Sequence, residues 1–574
     1  MEELKEKLSK SICKAIKEKY NIDMSQDEIL RLLETPKDKQ NGDIAFPCFK
    51  LSPTLHMAPN NIAKDLKDEI DISDIGIEKT ENAAAYINFF LDSSNFMGRV
   101  VDDIISKKEK YGFVDIGRGK TVLTEYSSPN IAKPFHLGHL RTTIIGRALY
   151  NLYKELGYNV ISINYLGDWG RQFGLVIEGY NRFKDEYDLE KDPLHTLSDM
   201  YAKANNLAKE DETVMDAARE NFKKLEEGDK TSLKLWQYFK DVSLKEYYRI
   251  YDLMGCKFDI YTGESEFSKP EKINEVINLL NEKNALVESQ GAKVVNISEN
   301  EPPCIIIKSN ESTTYAVRDL ASILWRARTY DYVKSIYVTS YEQILHFKQV
   351  FEVSKYLIDE KYSSGLVHVP YGMVRLKTGK MSTREGTVIY LQDLIDDAIE
   401  KSKKIIEEKG VNVENKEKLA KQIGIGALVF NDLKHNKIKD VVFDLNEVLR
   451  FDGETGPYVQ YMYARICSIL RKSNIDIDSI KENTYTYNDL EKELIKLLAK
   501  LPKIIESAAE SYEPSILTRY IIDVASAFSS FYNSNSVLCD EENIRNARLK
   551  LVYATGIVIK KGLNILGIET PEKM

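Results

Sequence analysis

The stretch EYSSPNIAKPFHLGHLRTTIIG, residues 125–146, constrains the fold more than any other part of the chain. A β-branched run at residues 121–124 precedes it, and apolar residues at helical spacing follow it. Pro134 cannot lie deep within a helix, so the break between the two elements falls before the segment HLGH. The sequence therefore predicts a strand, a turn and a helix.

Two histidines open the predicted helix. His136 and His139 are three residues apart, so both imidazoles would share one face of the first turn, beside backbone N–H groups without a helical partner. We interpret this turn as a phosphate site, with Gly138 leaving room for a nucleotide. A structural histidine pair or half of a metal site are the alternatives. The six cysteines show no Cys-x-x-Cys spacing, and no Cys or Glu lies at ligand spacing beside the pair, so we predict no metal site and no zinc.

A second polar segment, KTGKMSTREG at residues 377–386, lies far downstream between the strand-like residues 374–376 and 387–390. A basic turn is usually only solvated. However, a glycine-bracketed loop that carries Lys380 and Arg384 can also neutralise polyphosphate charge as it develops, as nucleotidyl transfer requires.

The residues between these two segments predict a parallel sheet. Residues 159–165 form a second strand, which makes a right-handed βαβ unit and brings Gly167-Asp168 to the carboxyl edge. The strand-like runs CIIIKS (304–309) and SIYVTS (335–340) are expected to return to the same sheet. We therefore predict an α/β fold with a doubly wound parallel sheet.

Length and composition suggest several domains. The chain has 574 residues, 43% of them hydrophobic, which is ample for buried cores. We predict an N-terminal α+β accessory domain at 1–112, the sheet domain at 113–410 with a helical insertion at about 180–255, and a C-terminal helical bundle at 411–574. The sequence predicts no membrane span and no signal peptide, so a soluble cytoplasmic protein without membrane partners is expected. The net charge of −9 argues against a generally basic nucleic-acid binder but permits local basic faces.

Aromatic residues beside an arginine mark the C-terminal part. Tyr458, Tyr461 and Tyr463 precede Arg465 within FDGETGPYVQYMYARICSIL. Exposed aromatics next to arginine can stack unpaired bases, which makes Tyr458, Tyr461 and Arg465 candidates for RNA binding. Core tyrosines of a helical bundle are the alternative.

Together, the two polar segments resemble the two signatures of class I aminoacyl-tRNA synthetases. KMSTR departs from the Lys-Met-Ser-Lys-Ser signature at Thr383 and Arg384. The further segments LGDWGRQFG, YAVRDL, FDGETGPYVQY and LGIETPEKM resemble arginyl-tRNA synthetases, in that family's order. The resemblance spans nearly the whole chain. It implies a Rossmann-like catalytic domain between an N-terminal domain that touches tRNA and a C-terminal anticodon-binding bundle.

This resemblance also implies an activity and a set of site residues. L-Arginine would react with ATP and Mg²⁺ to give arginyl-adenylate and pyrophosphate, and the arginyl group would pass to tRNA(Arg), which is needed even for activation. A monomer is expected. The catalytic residues would be His136, His139, Lys380 and Arg384. ATP would be bound by His136, Gly138, His139, Lys380, Met381 and Ser382. Arginine would be bound by Glu125, Ser128, Asn130, His136, Tyr315, Asp319 and Gln343, with Glu264 as a further candidate.

Three other functions remain open on the sequence. A small-molecule nucleotidyltransferase shares the first signature but leaves the flanking domains unexplained. Another zinc-free class I synthetase could share both signatures. A non-catalytic RNA-binding paralogue would be expected to have lost one of the signatures, and this chain keeps both.

Overall fold

The computed structural model describes residues 2–36, 38–73, 75–91, 95–189, 191–376, 390–480 and 485–574. It divides into two compact units. The first contains residues 1–111, 465–503 and 522–561, and the second contains residues 112–464, 504–521 and 562–574. The domain boundaries that the sequence suggests remain predictions.

The first unit contains a three-stranded antiparallel sheet. Its central strand Tyr86–Leu91 pairs with Ile44–Pro47 on one side and with Ile77–Ala83 on the other. The Ser25 side chain caps the second helix in a capping box with Glu28, which satisfies free backbone groups at its start. The helices that lie wholly in this unit are Glu2–Tyr20, Gln26–Leu32, Ser52–Leu55, Pro59–Lys67, Asn95–Lys107 and Asp489–Leu498. The predicted α+β fold of the N-terminal region is confirmed.

The second unit is built on a five-stranded sheet whose neighbours are all parallel. In spatial order its strands are Leu366–Tyr371, Tyr332–Ser340, Thr121–Glu125, Asn159–Leu166 and Ile260–Gly263. The helices of this unit outside the insertion are Leu137–Glu155, Gln172–Phe183, Glu264–Phe267, Pro270–Glu282, Tyr315–Thr329, Ile344–Ser354, Glu360–Ser363, Leu391–Glu408, Lys416–Leu433 and Leu445–Val448. The predicted α/β class with a parallel sheet is confirmed.

One strand of the second unit lies elsewhere than the sequence predicts. Cys304–Ile307 does not join the parallel sheet; it pairs antiparallel with Ala292–Val295, which in turn pairs with Val287–Ser289. Within Cys304–Ile307, Cys304 and Ile306 are buried while Ile305 is exposed. A strand with one solvated face suits an antiparallel sheet, whereas interior strands of a parallel sheet are covered on both faces. The predicted placement of this strand was wrong.

The predicted insertion consists of helices. They are Pro193–Glu210, Glu212–Glu226 and Lys230–Met254. The third helix begins at the Asp229 cap and ends at Gly255, whose φ of +63° suits glycine. It also reaches the edge of the parallel sheet, where Trp236 Nε1 donates to the Asp168 carbonyl at 2.7 Å and Lys240 Nζ lies 2.7 Å from the Asp168 carboxylate. The insertion is therefore attached to the sheet through Asp168.

The C-terminal part is helical, as predicted. The helices Gly456–Ser473, Leu501–Glu510, Ser515–Ser534 and Glu542–Ile565 each contribute residues to both units. A short parallel pair, Val374–Leu376 with Val441–Phe443, lies in the second unit. In the described part of the chain, no helix has the length and apolar character needed to cross a membrane.

A buried guanidinium joins three segments of the second unit. Arg141, in the helix Leu137–Glu155, is fully buried. Its guanidinium donates to the carbonyls of Met373 at 3.4 Å and Lys437 at 3.1 Å, and lies 3.4 Å from the carboxylate of Asp432. Met373 immediately precedes the strand Val374–Leu376. Arg141 therefore holds the first signature helix against the chain that leads to residues 377–389.

We predict that Asp432→Ala destabilises this junction by about 3–5 kcal/mol, because it leaves the Arg141 charge buried without its partner. Hydrogen–deuterium exchange of amides in Leu137–Glu155 and urea unfolding would measure the loss. Asp216→Ala is the matched control, since it breaks an ion pair with Arg219 whose side chains are 66% and 62% exposed. Equal effects of the two substitutions would contradict the role of Arg141.

Candidate active site

The candidate site lies at the carboxyl edge of the parallel sheet. The strand Thr121–Glu125 pairs with Asn159–Leu166 on one side and with the later strand Tyr332–Ser340 on the other. In open α/β sheets, ligands bind where the strand order reverses in this way. Beyond the strand ends, Asn130 pairs with Gly167 in a parallel bridge, which extends the contact between the two turns. The segment that follows the strand Thr121–Glu125 is thereby held at the carboxyl edge of the parallel sheet.

The histidine pair begins the helix that follows this strand. His136 is the N-cap residue of Leu137–Glu155, and its Nδ1 accepts from the Gly138 N–H at 3.0 Å. The His136 N–H in turn donates to Nδ1 of His139 at 3.2 Å, and the two ring centroids are 3.9 Å apart. A Cβ on Gly138 would lie 2.9 Å from His136 Cε1, so glycine is needed here for the imidazole itself. The pair thus satisfies backbone donors in the manner of a capping box.

Burial, more than neighbouring charges, favours the neutral form of both imidazoles. Burial, with a smaller contribution from Lys133, lowers the pKa of His136 from 6.5 to about 4. Burial and the neighbouring His136 and Lys133 lower the pKa of His139 well below its usual value. Because each Nδ1 accepts a hydrogen bond, the proton of each neutral ring lies on Nε2. The turn therefore offers two Nε2–H donors beside a lysine, which suits an anionic ligand.

Glu125, predicted to bind arginine, is buried at the end of the first strand. Its carboxylate forms an ion pair and a hydrogen bond with Arg326, which is also buried. Burial raises the pKa of the Glu125 carboxyl, and Arg326 opposes that rise. The Arg326 guanidinium also stacks over the Tyr337 ring, 4.8 Å from its centroid.

A second acid, Glu264, directly follows the strand Ile260–Gly263. Its carboxylate is 2.8 Å from Arg318, whose guanidinium lies 5.0 Å from the centroid of the exposed Tyr315 ring. Burial raises the pKa of Glu264 to about 7, with Arg318 opposing the shift and Asp319 adding to it. Glu264 and Tyr315 are thus linked through Arg318.

Asp319 is the third acid, and it has a histidine partner. Its Oδ2 lies 2.6 Å from Nε2 of His346, and its side chain is 27% exposed. Burial raises the pKa of the Tyr165 phenol, and the charges of Asp319, Glu264 and Glu125, in decreasing order, add to that rise, so all three carboxylates lie within electrostatic range of this phenol. The Tyr165 hydroxyl is buried and makes no hydrogen bond in the structure. Arginines pair with Glu125 and Glu264, so Asp319 is the member of these three acids, which we call the negative cluster, that is best suited to a cationic ligand.

The remaining predicted arginine contacts lie on the neighbouring turns. The Ser128 hydroxyl accepts from the Tyr165 N–H at 3.3 Å and has a left-handed backbone, with φ of +46°. Asn130 is exposed, and its carbonyl accepts from the Tyr247 hydroxyl at 2.7 Å. Gln343 is exposed at the end of the 3₁₀ turn Tyr341–Gln343, which follows the strand Tyr332–Ser340.

The second signature falls outside the described residues. Lys380, Met381, Ser382 and Arg384 therefore have no described geometry, and nor does the predicted strand at 387–389. The chain that resumes at Tyr390 does reach the first signature. Tyr390 forms an antiparallel bridge with His136, and the Leu391 N–H donates to the Phe135 carbonyl at 2.8 Å. The backbone at Tyr390 and Leu391 is thus hydrogen-bonded to the first signature.

The residues predicted to bind RNA lie on the helix Gly456–Ser473. Tyr458 and Tyr461 are half-buried. Arg465 is also half-buried, and its guanidinium lies 5.2 Å from the centroid of the Tyr532 ring. Tyr463 is buried, with 7% exposure, and is a core residue.

The sequence interpretation missed four basic residues of the site. Lys133 lies beside the histidine pair, while Arg326, Arg318 and His346 each pair with one acid of the negative cluster. Lys133 could have been noticed three residues before His136, and Arg318 lies next to Asp319. His346 likewise lies three residues after Gln343. Arg326 carries no such signal, because only packing brings its side chain to Glu125. Among the described residues, no group of three or more His, Cys, Asp or Glu could hold a metal ion.

Comparison with known proteins bears on the whole chain. The family model for the class I (R) tRNA synthetase catalytic domain matches residues 100–445. Models for the DALR anticodon binding domain and the arginyl tRNA synthetase N-terminal domain match residues 459–574 and 2–91. The arginine–tRNA ligase of Clostridium botulinum strain Alaska E43 is 47% identical, over 97% of this chain and 98% of its own. That of Clostridium kluyveri is 48% identical with the same coverage.

A solved structure agrees in fold. Thermus thermophilus arginyl-tRNA synthetase superposes with a TM-score of 0.82, covering 99% of each chain at 23% identity. The order of the family models also follows the order of the segments that suggested the resemblance. The chain therefore belongs to the arginyl-tRNA synthetase family of class I aminoacyl-tRNA synthetases.

Proposed function

We propose that this chain activates L-arginine with ATP and transfers the arginyl group to the 3′ end of tRNA(Arg), with release of AMP and pyrophosphate. Family membership supports this activity. The structural observation behind the proposal is that one edge of the sheet carries two Nε2–H donors, from His136 and His139, and also the three carboxylates of the negative cluster. The first suits the phosphates of ATP, and the second suits a guanidinium.

In the first step, a carboxylate oxygen of arginine attacks the α-phosphorus, and the bond to pyrophosphate breaks. No side chain becomes a covalent nucleophile, so catalysis consists of positioning and electrostatic stabilisation. His136 and His139 donate Nε2–H groups to the phosphates. Lys380 and Arg384 neutralise the leaving pyrophosphate. Met381, Ser382 and Gly138 are also assigned to ATP binding. Mg²⁺ enters with ATP and screens its charge.

At the amino-acid end, Asp319 and Glu264 face the guanidinium, and Tyr315 holds its plane. Glu125, Ser128, Asn130 and Gln343 complete the proposed pocket, with His136 at its junction with ATP. Arg326 favours the anionic form of Glu125 and so opposes the rise in its pKa that burial causes.

In the second step, the terminal ribose of tRNA(Arg) accepts the arginyl group. Tyr458, Tyr461 and Arg465 are the residues proposed to contact the tRNA, since all three are half-buried and tyrosine rings near an arginine can stack on unpaired bases. The proposal includes a monomer, a cytoplasmic location and no bound zinc.

ATP–pyrophosphate exchange with each of the twenty amino acids, with and without tRNA, tests the proposal. Exchange that depends on arginine and on tRNA is expected. Exchange supported by another amino acid would identify a different class I synthetase. Exchange that proceeds without any tRNA would contradict the expected dependence on tRNA.

We predict that Lys380→Ala slows adenylate formation by about 10² to 10³, because its charge is needed mainly as pyrophosphate develops. Arginine affinity should change much less. Single-turnover adenylate formation and equilibrium arginine binding measure the two effects. Lys404→Ala, at an exposed lysine of the helix Leu391–Glu408, is the control. An unchanged rate in Lys380→Ala would remove this residue from the mechanism.

We predict that His139→Asn slows adenylate formation by about 10², because the Asn oxygen replaces the Nδ1 acceptor while the Nε2–H donor is lost. The helix cap, and with it the melting temperature, should be retained. In the wild type, histidine titration should not affect the rate from pH 6.5 upward, because the folded protein holds both pKa values well below that range. A histidine-dependent rise in rate between pH 6.5 and 8, measured by comparison with His139→Asn, would show instead that the imidazoles are charged in the resting enzyme.

A further inference from the structure

Each acid of the negative cluster has its own partner, and the partner of Asp319 differs from the other two. Glu125 pairs with Arg326 and Glu264 pairs with Arg318. Asp319 instead contacts the imidazole of His346, with 2.6 Å between Oδ2 and Nε2.

The contact determines which atom of His346 carries hydrogen. A carboxylate oxygen can only accept, so Nε2 of His346 donates. A carboxylate has about four acceptor positions on its two oxygens, and this bond uses one of them. The remaining positions, on a side chain that is 27% exposed, are enough for the two parallel N–H groups of a guanidinium.

The orientation of Asp319 needs such a donor. Glu125 and Glu264 are both close enough for the charge of Asp319 to raise their pKa values, so like-charge repulsion acts on its carboxylate. The nearby guanidinium groups of Arg318 and Arg326 already bond to the other two acids. The hydrogen bond from His346 opposes rotation of Asp319 away from the cluster.

His346 is itself supported by an aromatic stack. Its ring meets that of Phe347 edge-on at 5.4 Å, and Phe347 stacks on His368 with centroids 4.6 Å apart. The His368 ring is also hydrogen-bonded to Thr339, with 2.8 Å between Thr339 Oγ1 and His368 Nε2. The stack ties the helix Ile344–Ser354 to two strands of the parallel sheet.

We infer that His346 is a positioning residue for arginine recognition: it fixes the plane of the Asp319 carboxylate so that its free acceptor positions meet the substrate guanidinium. The inference rests on the proposed function. A purely structural role fits less well, because His346 and Asp319 are 30% and 27% exposed, and partly exposed pairs add little to stability.

The test compares His346→Leu, His346→Gln and Asp319→Asn in the full chain, by tRNA-supported ATP–pyrophosphate exchange. His346→Leu removes the donor, whereas the Gln amide can place an N–H near the position of Nε2. We expect His346→Leu to raise the arginine KM about tenfold, the effect of one hydrogen bond to a charged group. Its kcat and ATP KM should stay within about twofold of wild type, since no contact with ATP is lost. His346→Gln should restore the arginine KM to within about threefold of wild type.

Asp319→Asn distinguishes failure of the inference from failure of the proposed function. It should raise the arginine KM by about a hundredfold or more, because the charge itself is lost. A normal arginine KM in His346→Leu, alongside a large increase in Asp319→Asn, would overturn the role of His346 and leave the proposed function intact. Equal increases in the arginine KM of His346→Leu and His346→Gln, or a loss of kcat at unchanged arginine KM, would also overturn the role of His346. No arginine-dependent exchange by the wild type would overturn the proposed function.

Discussion

Parallel pairing on both sides of the strand Thr121–Glu125 is the constraint on which the site depends. Register with Asn159–Leu166 and Tyr332–Ser340 brings the ends of three strands to one edge. The segments that leave these strands must then turn in the same crevice. The histidine turn and the carboxylate cluster therefore lie at the same edge of the sheet, although their residues span positions 125 to 319 of the chain.

Desolvation explains why the acids of the cluster are paired. Taking a carboxylate out of water is costly unless a cation or strong donor replaces the lost hydration. Arg326 and Arg318 serve the two most buried acids, and His346 serves the more exposed Asp319. A site for a cation can thus hold several acids close together, with one of them left accessible to the ligand.

Described residues on both sides of the segment 377–389 contact the first signature. Arg141, two residues after His139, binds the carbonyl of Met373 at the entrance to residues 377–389, while Tyr390 at the exit pairs with His136. A shift of the first signature helix would consequently displace Met373 and Tyr390, which flank residues 377–389. Because interiors are closely packed, such displacements are transmitted rather than absorbed.

Local patterns in the sequence were sufficient for the strand, turn and helix around residues 125–146, for the helical insertion and for the two signatures, because each depends on short-range periodicity, capping or turn chemistry. They were also sufficient for the family, since its segments occur in order along the chain. The sequence did not decide which sheet Cys304–Ile307 joins, because an apolar run of four residues fits either sheet, and only the covering of its faces distinguishes them. It also did not reveal Arg326 or His346 as partners of Glu125 and Asp319. Those pairs join residues 201 and 27 positions apart, and only the packing of helices against the parallel sheet brings them within hydrogen-bonding distance.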